Sequence, residues 1–224
     1  MATICITKYK GGSGASTMTR ELAVAAVLDG LRVALIDLDA QGGTATWWAD
    51  RTDGLPEDAD INPRLLDLGN RLPELPSLLE GLGRKYNVIL IDVPPSAPPF
   101  LEKVLAKIDL AIVPVKPTKD DLIAVPKTLE MLKPTGGRFA FVLNQVFPGG
   151  AGRTRAAEAT ERLAKRGRVI GRIGNRVAYP DAGAIGQTSL ELSPKDKAAI
   201  AEISEVWAFL REELGLPVPA AAVT

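Results

Sequence analysis

Lys10-Gly11-Gly12-Ser13-Gly14-Ala15-Ser16-Thr17 separates a short apolar run, Thr3–Thr7, from a helix-forming stretch that opens at Met18. Glycines between a strand and a helix N-terminus let consecutive backbone N–H groups curl around an anion, and the helix dipole adds its positive end. The phosphate-loop pattern G-x-x-x-x-G-K-[ST] would require glycine at Tyr9 and lysine at Ala15. Neither is there, and a glycine-rich turn alone is common, so the flanking sequence has to carry the reading.

Working outward, strand-length apolar runs alternate with helix-length amphipathic stretches. Strands are predicted at Thr3–Thr7, Arg32–Asp37, Val88–Asp92, Leu110–Val115, Phe139–Leu143 and Arg168–Ile173. Most lack a period of two, as strands buried on both faces do. Helices are predicted at Ser16–Asp29, Leu75–Lys85, Pro99–Lys107, Lys119–Leu132, Thr154–Arg166 and Pro194–Leu214. The alternation predicts an α/β fold: a doubly wound, mostly parallel sheet flanked by helices on both faces. One domain over residues 1–216 is expected, with 217–224 as a loose tail and punctuated loops at Gly54–Pro63 and Pro94–Pro99.

In such a sheet ligands bind beyond the carboxyl ends of the strands. Two further strand ends carry acids there: Asp37-Leu38-Asp39-Ala40-Gln41 and Ile89-Leu90-Ile91-Asp92-Val93-Pro94-Pro95. The run Val88–Ile91 ending in Asp92 is a Walker B arrangement, whose carboxylate holds Mg²⁺ directly or through water. Ser16 supplies a hydroxyl ligand, and Asp39 is the candidate to orient or deprotonate an attacking water or to face the metal. Singly these acids read equally well as strand-end turn formers; together beside a glycine loop they read as a nucleotide site.

These segments resemble the ParA/MinD group of deviant Walker ATPases, most closely the short ParA-type plasmid partition proteins without an N-terminal helix-turn-helix. The matching stretches are 10–17, 35–41, 89–95, 112–117 with Asp121, and 173–191, spanning about residues 3–192. The resemblance implies ATP or ADP with Mg²⁺ as cofactors, a homodimer sandwiching ATP, non-specific binding to nucleoid DNA, and a centromere-binding or cargo adaptor that stimulates hydrolysis. It makes Lys10 the signature lysine acting across the dimer. Gly11, Gly12, Ser13, Gly14, Ala15, Ser16 and Thr17 cradle the phosphates; Asp39 is catalytic, with Asp37 in support. It also makes Pro117 and Asp121 border the nucleotide, although a strand end and a helix start explain them equally well. Asn144 falls where the family often reads the adenine edge; a turn-forming asparagine is the alternative.

The family carries a second lysine where this chain has Ala15. Losing one or two charge-assisted hydrogen bonds of about 1.5–3 kcal/mol each predicts weakened ATP binding and poor hydrolysis. Lys10, Gly11, Gly12, Gly14, Ser16, Thr17, Asp37, Asp39 and Asp92 all stand. That intact background favours an introduced Lys→Ala replacement over natural drift. Asp39 also precedes Ala40 where proline is usual. A scaffold that keeps the fold without hydrolysis, or a positioning factor for another cargo, is the competing reading.

From Arg153 to Arg176 the chain is basic. Arg155, Arg162, Lys165, Arg166, Arg172 and Arg176 are candidate DNA contacts, against the simpler reading of a solvated helix face. Trp47 and Trp48 read as packing residues. The last helix carries Glu202, Glu205, Glu212 and Glu213, which anionic lipid would repel, so no membrane attachment is expected.

Composition narrows the remaining classes. Lys+Arg and Asp+Glu both count 27, which excludes a globally basic nucleic-acid binder. The lone Cys5 and the absence of histidine remove disulfides, cysteine-based cages and histidine-based triads within one chain. No apolar run reaches about 18 residues, and with 46% hydrophobic residues the 224-residue chain has material for a large core. A cytoplasmic, nucleoid-associated protein is expected.

Overall fold

The computed structural model describes residues 1–8, 10–56, 59–95 and 100–217. The expected tail beyond Pro217, the start of the helix expected at Pro99, and parts of the loops 54–63 and 94–99 lie outside the described residues. Among the described residues, the strands β1 (Ala2–Ile6), β2 (Val33–Asp37), β3 (Arg64–Leu65), β4 (Val88–Asp92), β5 (Leu110–Val115), β6 (Phe139–Val146) and β7 (Arg168–Gly174) form one sheet in the order β3-β2-β4-β1-β5-β6-β7. Every one of these pairings is parallel. The helices are α1 (Ala15–Leu28), α2 (Gly43–Thr52), α3 (Leu75–Leu82), α4 (Leu101–Leu105), α5 (Lys119–Met131), α6 (Gly150–Ala164), α7 (Ala178–Gly183) and α8 (Lys197–Glu213).

The sheet divides the core into two layers. Ile4 and Ile6 of β1 pack with α1, α7 and α8, whereas Cys5, between them, packs with α3, α4, α5 and α6. Side chains of a strand alternate between its faces, so the unbroken apolar runs are what a sheet covered on both sides requires.

Three helices differ from the sequence reading, two of them for local causes. Gly43–Thr52 forms α2 although glycines at 42 and 43 open it; the Asp37 carboxylate accepts from the N–H groups of Thr44 and Ala45 at 3.0 and 2.9 Å and caps its first turn. The last helix starts at Lys197 rather than Pro194, because Asp196 is its N-cap, accepting from the N–H groups of Ala198 and Ala199. The helix expected from Thr154 begins four residues earlier, at Gly150. Two-residue β3 is too short to leave a pattern.

Register places the chemistry. Ile6 lies beside Asp92, and Asp37 beside Asp92 on its other side, so the carboxyl ends of β1, β2 and β4 finish level. The loop 10–14 rises from the first of these and turns directly into α1.

Candidate nucleotide site

Gly12 and Gly14 adopt φ of +78° and +86°, which fold the loop back over the N-terminus of α1. Gly14 has a second reason to lack a side chain: a Cβ there would collide with the Asn144 amide nitrogen. Asn144, at the end of β6, is 6% exposed; its Nδ2 donates to the Ser13 carbonyl at 2.6 Å, and its Oδ1 accepts from the Gln145 N–H at 2.9 Å. Gln145 adopts φ of +53°, the left-handed region that a non-glycine residue enters at a cost, and its side-chain amide donates to the Gly12 carbonyl. Expected at the adenine edge or as a turn former, Asn144 is held in this structure by the Ser13 carbonyl and the Gln145 N–H. The buried amide braces the phosphate loop, because β6 ends against the loop rather than over open space.

The acids occupy distinct roles. Asp37, expected to support the catalytic acid, accepts from the N–H groups of Asp39, Thr44 and Ala45 and so holds the β2–α2 turn. Asp39 accepts from the Gln41 N–H through Oδ1 and leaves Oδ2 facing the site. Asp92 is fully buried; its Oδ2 accepts from the buried Thr44 hydroxyl at 2.8 Å, and the Ser16 hydroxyl also reaches it. Burial pushes the Asp92 carboxyl above its ordinary range. The Lys8 ammonium and the hydroxyls of Ser16 and Thr44 pull it back down, and Asp37 adds to the upward push.

Lys8 is a residue that the sequence reading does not reach. Its ammonium lies 3.4 Å from Asp39 Oδ2, 3.6 Å from Asp92 Oδ1 and 3.4 Å from the Val93 carbonyl, and the residue is 6% exposed. It stands outside the loop pattern, so the one available signal is a lysine immediately after an apolar strand. Thr44 leaves no signal either. Lys116 also comes close, with its ammonium 3.8 Å from where a Cβ on Gly12 would sit.

The other expected residues divide. Lys10 is half exposed, with the exposed Asp120 carboxylate 3.8 Å away. Ala15 is buried in the core beneath the loop. Thr17 accepts from Arg20. Asp121 takes part in the N-cap of α5, its N–H and carboxylate meeting the Thr118 hydroxyl, so it closes that helix and Pro117 precedes it. Trp47 is buried, and the ring N–H groups of Trp47 and Trp48 donate to the Gln187 and Pro63 carbonyls.

The arrangement suits phosphates with a divalent cation. Among the described residues, the buried side-chain atoms Thr7 Oγ1, Ser13 Oγ and Asp92 Oδ1 lack a hydrogen-bond partner, and two of them belong to the phosphate loop and to the strand-end acid beside Lys8. No group of three or more Asp, Glu, His or Cys able to hold a metal exists among the described residues. A divalent cation at Asp92 and Ser16 would therefore need ligands from phosphate or water, as Mg²⁺ prefers.

Residues 4–190 match the CobQ/CobB/MinD/ParA nucleotide binding domain. The chain belongs to this family. The carboxysome distribution protein A of Gloeobacter kilaueensis is 34% identical over 169 residues, which covers 73% of this chain and 71% of the relative. Its namesake from Halothiobacillus neapolitanus is 27% identical over 211 residues, 91% of this chain and 94% of the relative. A plasmid partition protein of Borrelia burgdorferi solved with AMPPNP superposes with a TM-score of 0.74 at 20% identity, over 94% of this chain and 99% of that one. A variant of Cyanothece McdA solved with ATP gives 0.73 at 17% identity, over 97% of each chain. Family and fold therefore agree with the resemblance carried by the phosphate loop and the strand-end acids.

Among the basic residues, Arg155 and Arg162 project from α6, with Lys165 and Arg166 just beyond it and Arg172 on β7; all are exposed. Arg162, Lys165 and Arg166 join Lys119 along a groove between α5 and α6 that Leu122, Val125 and Leu163 also line. Arg176 departs from this group. Its guanidinium pairs with Glu202 at 2.7 Å and faces Asp196 at 3.9 Å, anchoring the turn after β7 to α8. No helix among the described residues is long and apolar enough to cross a membrane.

Proposed function

We propose that this chain is a ParA-type ATPase that positions a cargo through ATP-dependent dimerisation on DNA. The observation that carries the reading is the convergence of the phosphate loop, Asp39, Asp92, Ser16 and Thr44 at the level ends of β1, β2 and β4. The amides of Gly11–Thr17 hold the phosphates against the N-terminus of α1. Ser16 and Asp92 take the Mg²⁺, which when bound offsets charge on the phosphate oxygens. Asp39, whose Oδ2 faces the site, orients the attacking water. Lys10 extends toward solvent, where a second copy could meet it, and its charge offsets that of two closely approaching triphosphates.

Arg155, Arg162, Lys165, Arg166 and Arg172 form the surface proposed to hold DNA phosphates without sequence preference; Arg176 is left out because Glu202 engages it. An adaptor protein stimulates hydrolysis and links the dimer to its cargo. Segregating plasmid or chromosomal DNA is one cargo reading. A protein assembly is the other, favoured by the two curated relatives, both named for carboxysome distribution.

Light scattering of the chain with and without Mg-ATP, followed by DNA retention at rising salt, tests the reading. A dimer formed only with ATP, retaining DNA in that state and releasing it with salt, is the expected result. A monomer that neither binds nucleotide nor changes its DNA retention would contradict it.

A further inference from the structure

Lys8 is the only buried lysine among the described residues, and its ammonium faces Asp39, Asp92 and the Val93 carbonyl in a chain that lacks the family's second loop lysine. An ammonium has three donors and no acceptor, and burying it demands compensation. Its contacts here, 3.4 Å to Asp39, 3.6 Å to Asp92 and 3.4 Å to the Val93 carbonyl, all exceed the 2.7–2.9 Å of a close charge-assisted bond. The lysine is thus confined to the site without being tightly bonded in it. Near it stand two buried polar atoms that lack hydrogen-bond partners: Asp92 Oδ1, facing the ammonium, and Ser13 Oγ, whose residue lines one small cavity together with Lys8 and Lys10. Unmet acceptors and donors grouped around a loosely held cation mark a place built for a polar, anionic ligand.

We infer that Lys8 supplies the cation for the β- and γ-phosphates of ATP in this chain, in place of a lysine at position 15. The inference rests on the nucleotide-binding reading above and deepens it. Lys8 follows β1 and precedes the phosphate loop by two residues, so the stem of the side chain rises from the strand end around which the loop curls. Because its contacts to Asp39 and Asp92 are long, the ammonium can turn from them to the phosphates while staying inside the site. On this account Ala15 is an ordinary small residue under the loop, and the charge stands seven positions earlier in the chain.

The test is ATP affinity, measured by titration in the presence of Mg²⁺, for the parent chain, Lys8→Ala, Lys8→Met, Ala15→Lys and the double variant Lys8→Ala/Ala15→Lys. Losing one charge-assisted bond predicts a roughly ten- to hundredfold weaker ATP affinity for both single Lys8 variants. The double variant recovers most of that loss, because the charge returns by the other route. Ala15→Lys alone gains little, since it adds a second ammonium to phosphates that Lys8 already serves. Thermal unfolding of each variant, and the stem-preserving Lys8→Met in particular, separates lost binding from lost folding; a merely structural Lys8 would not be rescued by a lysine at position 15. Parent-like affinity of Lys8→Ala, failure of the folded double variant to recover, or equal loss from Lys116→Ala would overturn the assignment. Absence of ATP binding by the parent chain would instead overturn the nucleotide-binding reading itself.

Discussion

Replacing Asn144 by alanine removes the side chain that ties β6 to the phosphate loop. Two hydrogen bonds disappear: Nδ2 to the Ser13 carbonyl at 2.6 Å, and the Gln145 N–H to Oδ1 at 2.9 Å. Ser13 is 3% exposed, so water cannot readily replace the lost donor at its carbonyl. A buried polar group left unpaired costs about 1–3 kcal/mol. Gln145, at φ of +53°, also loses the Asn144 oxygen that accepts from its N–H. A loss of about 2 kcal/mol in the binding-ready loop corresponds to roughly thirtyfold weaker nucleotide binding. Because the brace acts on the loop and not on the base, ATP, ADP and GTP should weaken together. Titration of the three nucleotides against the parent and Asn144→Ala reads this directly. Loss of ATP binding with GTP untouched would refute the bracing role and return Asn144 to the adenine edge.

Two further outcomes are expected. Burial raises the Glu21 carboxyl to about 7 from its usual 4.5, even though the N–H and hydroxyl of Ser189 donate to it. The folded state therefore holds this proton more tightly than the unfolded chain, and stability falls by roughly 3 kcal/mol as pH rises from 4.5 through 7. Urea midpoints at pH 5 and pH 8 should differ less in Glu21→Gln than in the parent; an unchanged difference would exclude Glu21 as the source. Replacing Arg155, Arg162 and Arg166 together by alanine should lower the salt dependence of DNA binding by about one unit of slope for each phosphate no longer neutralised, without altering nucleotide affinity. An unchanged slope would place the DNA surface elsewhere.

Much of the fold is legible because burial on both faces writes itself into sequence. Val88–Ile91 and Leu110–Val115 are unbroken apolar runs, and the structure makes both central strands. The acids are legible because each closes such a run. Side-chain direction is not. Nothing local says that the Asn144 amide turns inward onto a loop 131 residues away, or that Arg176 meets Glu202. Helix α2 is hidden because its first turn is held by Asp37, a residue of the preceding strand, and not by a cap within its own sequence. Lys8 is hidden for a similar reason: the pattern describes the loop, whereas the charge sits on the strand end that leads into it.

The central claim is that a chain without a lysine at position 15 still binds nucleoside triphosphate. The most direct measurement is calorimetric titration of the parent chain with ATP, with and without Mg²⁺. Saturable binding of one ATP per chain, tighter with Mg²⁺ and weaker for ADP, is the predicted result. A folded chain that gives no saturable signal with ATP in either condition would contradict the account.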